Sequence, residues 1–172
     1  MTANSEKDIK YLKAIGRVVA LALKKMMKDA KPGMTTAELD HIGKEFLEKE
    51  GAKSAPQAMY KFPGATCISI SPVIAHGIPT DRILREGELI NIDVSAEMDG
   101  YFADTGGSMV VSKRVPELEK LLEATRSALA KAVHIAKAGQ PLNIIGRTIQ
   151  QEANQNGFNV IYDLTGHGIG HK

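Results

Sequence analysis

The chain has little cysteine, little excess charge and no long apolar run. Cys67 is its one cysteine among 172 residues, so no intrachain disulfide can form. Lys and Arg total 22 against 20 Asp and Glu, a net charge of +2, which is too balanced for a nucleic-acid or membrane-binding surface. No segment approaches the roughly 20 apolar residues of a membrane span, and the polar start lacks a signal peptide's apolar core. We therefore expect a cytoplasmic protein with no nucleic-acid specificity and no membrane partner.

Motifs for nucleotide binding and for cysteine-dependent catalysis are also lacking. The glycines Gly166, Gly168 and Gly170 match neither the Gly-x-x-x-x-Gly-Lys-Ser/Thr loop nor the dinucleotide Gly-x-Gly-x-x-Gly loop. Cys67 lies within a predicted strand, where a cysteine usually packs as an inert apolar side chain. We therefore exclude a nucleotide site and do not expect a cysteine nucleophile.

What the sequence does contain is typical of a single α+β domain. Apolar residues make up 43% of the chain and charged residues 24%, which allows a sizeable core. Apolar residues at steps of three and four predict a first helix, and a capping box from Thr35 to Glu38 begins the second. The predicted helices are 5–30, about 35–50, 116–138 and 142–156; the predicted strands are 66–71, 88–98, 101–111 and one beginning at 158–164; residues 52–65 are predicted as loop.

A faint internal repeat has an offset of 106 residues. Ala30-Lys31-Pro32-Gly33 resembles Ala136-Lys137-Ala138-Gly139, and Gly51 matches Gly157. Each half also follows the order helix, helix, strand and then His-Gly-Ile. We therefore expect a first half at about 1–112 and a partial second half at about 113–172, incomplete because no hairpin like 88–111 follows it.

Two aspartates on one predicted hairpin carry the most informative chemistry. A two-residue turn at Asp99-Gly100 would place residue 95 opposite 104 and residue 93 opposite 106. Asp93 and Asp104 would then be diagonal neighbours on one face, with Cβ atoms about 7–8 Å apart or less. Aspartate is unfavourable within strands, and like charges so close repel one another. A cation between them is one interpretation, and a water-facing polar side of the sheet is the other.

The histidines divide by their surroundings. His41 and His134 lie in predicted helices and are expected to be structural or surface residues. His76 and His167 lie beside glycines that allow close backbone approach to a ligand. Each of these two is either a metal ligand or proton donor near the carboxylates, or an ordinary loop histidine.

The ordered motifs resemble a known family. His76-Gly-Ile-Pro, Asn91-Ile-Asp-Val, Asp104-Thr and Gly166-His-Gly-Ile-Gly, in that order, are similar to the type I methionine aminopeptidases of the pita-bread fold. The resemblance runs from about residue 5 to the last residue. It implies the creatinase/aminopeptidase-like pita-bread fold, with an internal pseudo-twofold repeat whose second half is incomplete here, and a single catalytic domain over 1–172.

The resemblance also assigns site residues. It implies that Asp93, Asp104 and His167 are metal ligands and that His76 contacts substrate near the scissile peptide nitrogen, as a catalytic group. Met59, Phe62 and Cys67 fall near positions that line the methionine side-chain pocket. These residues are given in this chain's numbering.

The activity that the resemblance implies is removal of the initiator methionine from nascent proteins. Two divalent ions, drawn from cobalt, manganese, iron(II) or zinc, would activate a water for attack on the first peptide bond. The implied donor set has carboxylate oxygens and one imidazole. Such a set suits manganese, iron(II) or cobalt, in contrast to the thiolate-rich set of many zinc sites. The implied partner is a peptide or nascent chain beginning with methionine, with the ribosome as a further candidate, and the implied state is a monomer.

The sequence departs from the family pattern after its last motif. The family has two further glutamate ligands and one more substrate-contacting histidine there, and His171 comes too early to be that histidine. We therefore expect a C-terminally incomplete form of the enzyme. The alternative to the aminopeptidase is an inactive fragment or a non-catalytic binding module on the same scaffold. A prolidase or aminopeptidase P is a related enzyme interpretation, which His76-Gly-Ile-Pro and the short N-terminal extension disfavour.

Overall fold

The computed structural model describes residues 3–169, which form two compact units. The first unit comprises 3–113 with 168 and 169, and the second comprises 114–167. No helix within 3–169 is long and apolar enough to cross a membrane.

The first unit begins with two helices that follow the predicted pattern. Helix α1 spans Glu6–Asp29 and starts with a capping box in which Ser5 and Asp8 bond each other's backbone. Helix α2 spans Thr36–Lys49 and starts with the predicted Thr35 capping box. Both helices are confirmed. The buried side of α1 consists of the apolar residues Ile15, Val18, Val19, Ala22, Leu23 and Met26.

The segment predicted as loop at 52–65 is partly regular, so that prediction is wrong. Strand β1 spans Lys53–Ser54, and helix α3 spans Ala55–Tyr60. The Ser54 hydroxyl accepts a bond from the Gln57 amide, and Pro56 lies in the first turn. Proline is tolerated there because its missing N–H would have had no helical partner. Pro56 therefore marks the start of a helix.

A four-stranded antiparallel sheet completes the first unit. Its other strands are β2 at Cys67–Ile70, β3 at Leu89–Met98 and β4 at Tyr101–Val110. Strand β3 is central: β4 pairs along its whole length, while β2 and β1 pair with successive parts of it. The strands predicted at 66–71, 88–98 and 101–111 are thereby confirmed.

The β3–β4 turn sets the register as predicted. Asp99 and Gly100 have φ values of 55° and 82°, the left-handed pair that a two-residue hairpin turn requires. Met98 lies opposite Tyr101, and Ser95 lies opposite Asp104. The hairpin register is therefore fixed locally.

The two faces of the sheet differ sharply. Ile90, Ile92, Val94 and Ala96 on β3 are fully buried and belong to the same core cluster as the inner face of α1. At Gly107 a Cβ atom would come within 3.1 Å of Met27 Sδ on α1. The helix therefore lies directly on this face, and the opposite face carries the polar residues.

The second unit consists mainly of two helices. Helix α4 spans Pro116–Ile135 and helix α5 spans Asn143–Gln155, which confirms both predicted helices. Glu152 on α5 is only 5% exposed. Its carboxylate accepts a 2.6 Å bond from the Ser127 hydroxyl of α4 and forms an ion pair with Lys131. The packed helices thus enclose a satisfied carboxylate.

The strand predicted from 158 to 164 is wrong. The segment contains a turn, closed by a bond from the Leu164 amide to the Ile161 carbonyl, and no strand is described there. Ile161, Tyr162 and Leu164 are exposed. A strand needs a neighbour to accept its backbone bonds, and within 3–169 no strand pairs with this segment.

The helix pairs of the two units end at matching positions. Helices α1 and α4 end at Asp29 and Ile135, and α2 and α5 end at Lys49 and Gln155, both an offset of 106. Glycines at the same offset share left-handed backbones: φ is 87° at Gly33 and 83° at Gly139, and 78° at Gly51 and 80° at Gly157. The sequence repeat therefore extends to the ends of the helices and to the backbone conformation of these glycines.

Candidate functional site

The candidate site lies on the polar face of the β3–β4 hairpin. Because side chains alternate along a strand, Asn91, Asp93 and Ser95 point away from the buried Ile92. Asp93 is half-buried and Asp104 on β4 is exposed. The face therefore presents carboxylates to the side of the sheet that α1 does not cover.

The two carboxylates share that face. Ser95 pairs with Asp104 and Asp93 pairs with Gly106, so Asp93 and Asp104 are diagonal neighbours across the hairpin. Such pairs have Cβ atoms about 7–8 Å apart or less. Two acidic side chains at this spacing are suited to binding a divalent cation through oxygen.

The pKa of the Cys67 thiol is raised by burial and by the carboxylates of both Asp93 and Asp104. Cys67 on β2 lies opposite Asp93 and is buried. Burial raises the pKa of the Cys67 thiol to about 11, with further increases from Asp93, Asp104 and Asp40. The thiol is therefore protonated at neutral pH, which agrees with its predicted lack of nucleophilic character.

Gly106 leaves space beside Asp93. A Cβ atom at Gly106 would be 3.8 Å from Asp93 Oδ1 and 3.9 Å from Asn91 Nδ2, which is ordinary contact. The Asn91 amide donates a 3.0 Å bond to the Ser108 hydroxyl of β4. The polar face therefore has an ordered amide beside the carboxylate, and a methyl group at residue 106 would contact both without a clash.

His76 lies in an irregular loop bound to the edge of β2. The Ile68 amide donates to the Gly77 carbonyl at 2.9 Å, and the Gly77 amide donates to the Ser69 hydroxyl at 3.0 Å. His76 is exposed and has φ 55°. The loop is thus attached one strand away from Asp93.

The predicted pocket residues lie around α3 and the start of β2. Met59 is on α3 and is 51% exposed, and Phe62 follows the helix and is half-buried. The carboxylate of Asp40 accepts bonds from the Ala65 amide and from the amide and hydroxyl of Thr66, at 2.6–3.0 Å. This contact fixes the chain immediately before Cys67.

His167 belongs to the second unit, in a segment with no regular structure, and it is exposed. Gly170 and His171 lie outside the described residues. Within 3–169 no group of three or more His, Cys, Asp and Glu side chains is placed to hold a metal ion. On the first unit, the carboxylate pair with its adjoining polar side chains is a donor set that fits a hard divalent cation.

Several residues near the carboxylates were not singled out from the sequence. Asn91 begins a motif quoted from the sequence but has no role assigned there, and Ser95 could have been found because it alternates with apolar residues beyond Asp93. Asp40 and Ser69 could not, because their partners are 25 and 8 residues distant in the chain.

Comparisons with known proteins place the chain among metallopeptidases. A family model described as metallopeptidase family M24 matches residues 10–172. Methionine aminopeptidase 2 of Bacillus subtilis is 48% identical over 171 residues, covering 99% of this chain and 69% of that protein. The methionine aminopeptidase of Staphylococcus epidermidis strain ATCC 12228 is 45% identical over 171 residues, covering 99% and 68%.

Solved structures share the fold. The methionine aminopeptidase of Rickettsia prowazekii has a TM-score of 0.95 at 34% identity, covering this whole chain and 69% of that chain. The prolidase of Pyrococcus furiosus has a TM-score of 0.84 at 19% identity, covering 98% of this chain and 49% of that one, which shows the fold only. The chain therefore has the pita-bread fold that the motifs predicted.

Proposed function

This chain belongs to the methionine aminopeptidases of metallopeptidase family M24, and we propose that it removes the N-terminal methionine of peptides and nascent proteins. The observation that carries the proposal is the placement of Asp93 and Asp104 on one face of the β3–β4 hairpin. A binding module that had lost its chemistry would not need two mutually repulsive carboxylates there.

We assign the metal-binding role to three side chains. Asp93 and Asp104 would bind through carboxylate oxygens, and His167 would bind through an imidazole nitrogen, an assignment that comes from its match to the family motif. When bound, two divalent ions supply Lewis acidity that activates water and polarises a peptide carbonyl. The oxygen-rich donor set with one imidazole suits manganese, iron(II) or cobalt, and carboxylate and imidazole ligands can also bind zinc.

The remaining residues would hold the substrate. His76 is proposed to contact the scissile peptide nitrogen, where an imidazole can hold or deliver a proton. Met59, Phe62 and Cys67 are proposed to line the methionine pocket. The protonated state of the Cys67 thiol favours this assignment, because a neutral thiol packs against a thioether without desolvating a charge. Cytoplasmic location, a monomeric state and ribosome contact stay predictions.

Methionine release from a Met-Ala-Ser peptide, with manganese or cobalt added, tests the proposal. Asp93→Asn is expected to lower the rate by more than about 100-fold, since even residues that only support metal ligands contribute about 10–100-fold. Asp99→Asn is the matched control: it removes one carboxylate from the same hairpin, and asparagine suits the left-handed turn position.

A calorimetric titration with manganese separates the aminopeptidase from the binding module. The enzyme requires that Asp93→Asn weaken both manganese binding and methionine release while Asp99→Asn weakens neither. Unaltered manganese binding in Asp93→Asn would contradict the ligand assignment. Binding that Asp93→Asn abolishes, in a wild-type chain that releases no methionine, would favour the inactive fragment or the non-catalytic module over the aminopeptidase.

A further inference from the structure

The backbone of His76 has a conformation that residues with side chains seldom adopt. Its φ is 55°, in the left-handed region where a Cβ atom crowds the backbone. Such a conformation persists only where the surrounding structure holds it, and it occurs at functional positions as well as in turns. The contacts that hold His76 therefore bear on how its imidazole is presented.

Those contacts converge on the next residue, Gly77. Its carbonyl accepts a bond from the Ile68 amide at 2.9 Å, and its amide donates to the Ser69 hydroxyl at 3.0 Å. A Cβ atom at Gly77 would lie 2.2 Å from the Ile68 carbonyl oxygen. Gly77 is thus fixed against β2 on both its donor and its acceptor side.

Ser69 supplies a side-chain contact in this arrangement, whereas Ile68 acts through its backbone. Ser69 is 2% exposed and pairs with Asn91 in the centre of the sheet. Its hydroxyl is therefore held in place by the rigid sheet, and it can transmit that rigidity to the loop.

We propose that Ser69 is a positioning residue, whose hydroxyl holds Gly77 and thereby sets the orientation of His76 toward the substrate. The inference rests on the proposed function, because it takes His76 as a group that contacts substrate. If Ser69 only satisfied the Gly77 amide, its removal would lower stability and nothing more. If it positions His76, its effect on turnover must depend on the imidazole being present.

Amide hydrogen exchange at Gly77, followed by NMR, tests the contact without any catalysis. Ser69→Ala is expected to speed exchange at Gly77 about tenfold, the ratio that loss of one hydrogen bond produces. Ser69→Thr keeps the hydroxyl and is expected to restore protection. The matched control is Ser54→Ala, which removes another buried hydroxyl, bonded to Ala65 and Gln57, and should leave Gly77 protected.

The imidazole resonances of His76 give a second readout from the same samples. They are expected to shift in Ser69→Ala and to stay in place in Ser54→Ala. Unchanged Gly77 exchange, or unchanged His76 resonances, in Ser69→Ala would overturn the proposal.

A double-mutant cycle on methionine release connects the contact to function. Ser69→Ala is expected to lower kcat about 10–100-fold with KM within about twofold, as for a displaced catalytic group. In a His76→Ala background, adding Ser69→Ala should change kcat by less than about twofold. Equal effects in the two backgrounds would overturn the proposal. A wild-type chain without methionine release overturns the proposed function instead, and exchange and resonances then decide whether Ser69 positions His76.

Discussion

Replacing Gly77 by alanine is expected to displace the loop that carries His76. The new Cβ atom would lie 2.2 Å from the Ile68 carbonyl oxygen and 2.7 Å from the Ser69 Cα atom. Both are backbone atoms of β2, inside a sheet, and neither can move aside as the end of a flexible side chain could. The loop must therefore leave β2.

The magnitude follows from what that displacement removes. Two hydrogen bonds, Ile68 N–H to Gly77 O and Gly77 N–H to Ser69 Oγ, contribute about 1 kcal/mol each. Residual crowding typically adds about 1–3 kcal/mol when the loop cannot separate fully. We expect Gly77→Ala to lower the free energy of unfolding by about 2 kcal/mol if the loop separates fully and by up to about 5 kcal/mol if crowding persists, and to abolish the proposed contribution of His76 to turnover.

Urea unfolding monitored by circular dichroism measures this change, with Gly16→Ala as the matched control. Gly16 lies in α1, and a Cβ atom there would meet nothing within 4 Å. The same glycine-to-alanine exchange should therefore raise the free energy of unfolding by up to about 1 kcal/mol, because alanine favours the helix. If Gly77→Ala unfolded at the same urea concentration as the wild type, the packing argument for the loop would be refuted.

Three further predictions concern the core and two carboxylates. Ile92→Ala, at a fully buried position, should lower the free energy of unfolding by about 2–5 kcal/mol in urea titrations, and a smaller loss would mean that the sheet relaxes into the cavity. The pKa of Asp8 is lowered to about 2, chiefly by the Tyr101 hydroxyl, so its contribution to stability is present above its ordinary pKa and is lost as the pH falls toward 2. Asp8→Asn should therefore lose less stability than the wild type between about pH 5 and pH 2, by thermal melts, and parallel losses would contradict this. Lys131 holds the pKa of Glu152 below its ordinary value of 4.5. Lys131→Met should therefore lower the melting temperature most above pH 4.5 and progressively less below it. A decrease in melting temperature that does not depend on pH would show that packing, rather than charge, is involved.

Much of the fold can be predicted because its determinants are local. Capping boxes at Ser5 and Thr35 mark where helices begin, and Asp99-Gly100 alone determines which hairpin residues face each other. The shared face of Asp93 and Asp104 follows from that register without any long-range contact.

What cannot be predicted depends on partners distant in the chain. Helix α3 escapes the sequence pattern because Pro56 resembles a breaker, while the helix cap depends on a serine that also bonds to Ala65. The strand expected at 158–164 has the right residues, but a strand forms only with a neighbour. The contact from Ser69 to Gly77 requires the loop to return to β2, which no local pattern in the sequence indicates.

The two-residue turn at Asp99-Gly100 has a consequence for how this protein tolerates insertions and deletions. Because side chains alternate along a strand, adding or deleting one residue in the turn would slip β4 by one position. Asp104 would then rotate into the apolar layer under α1, and Ala103 or Thr105 would take its place on the polar face. Most surface loops accept length changes readily. This turn is expected to be intolerant of odd-numbered changes, because its length decides whether the two carboxylates point the same way.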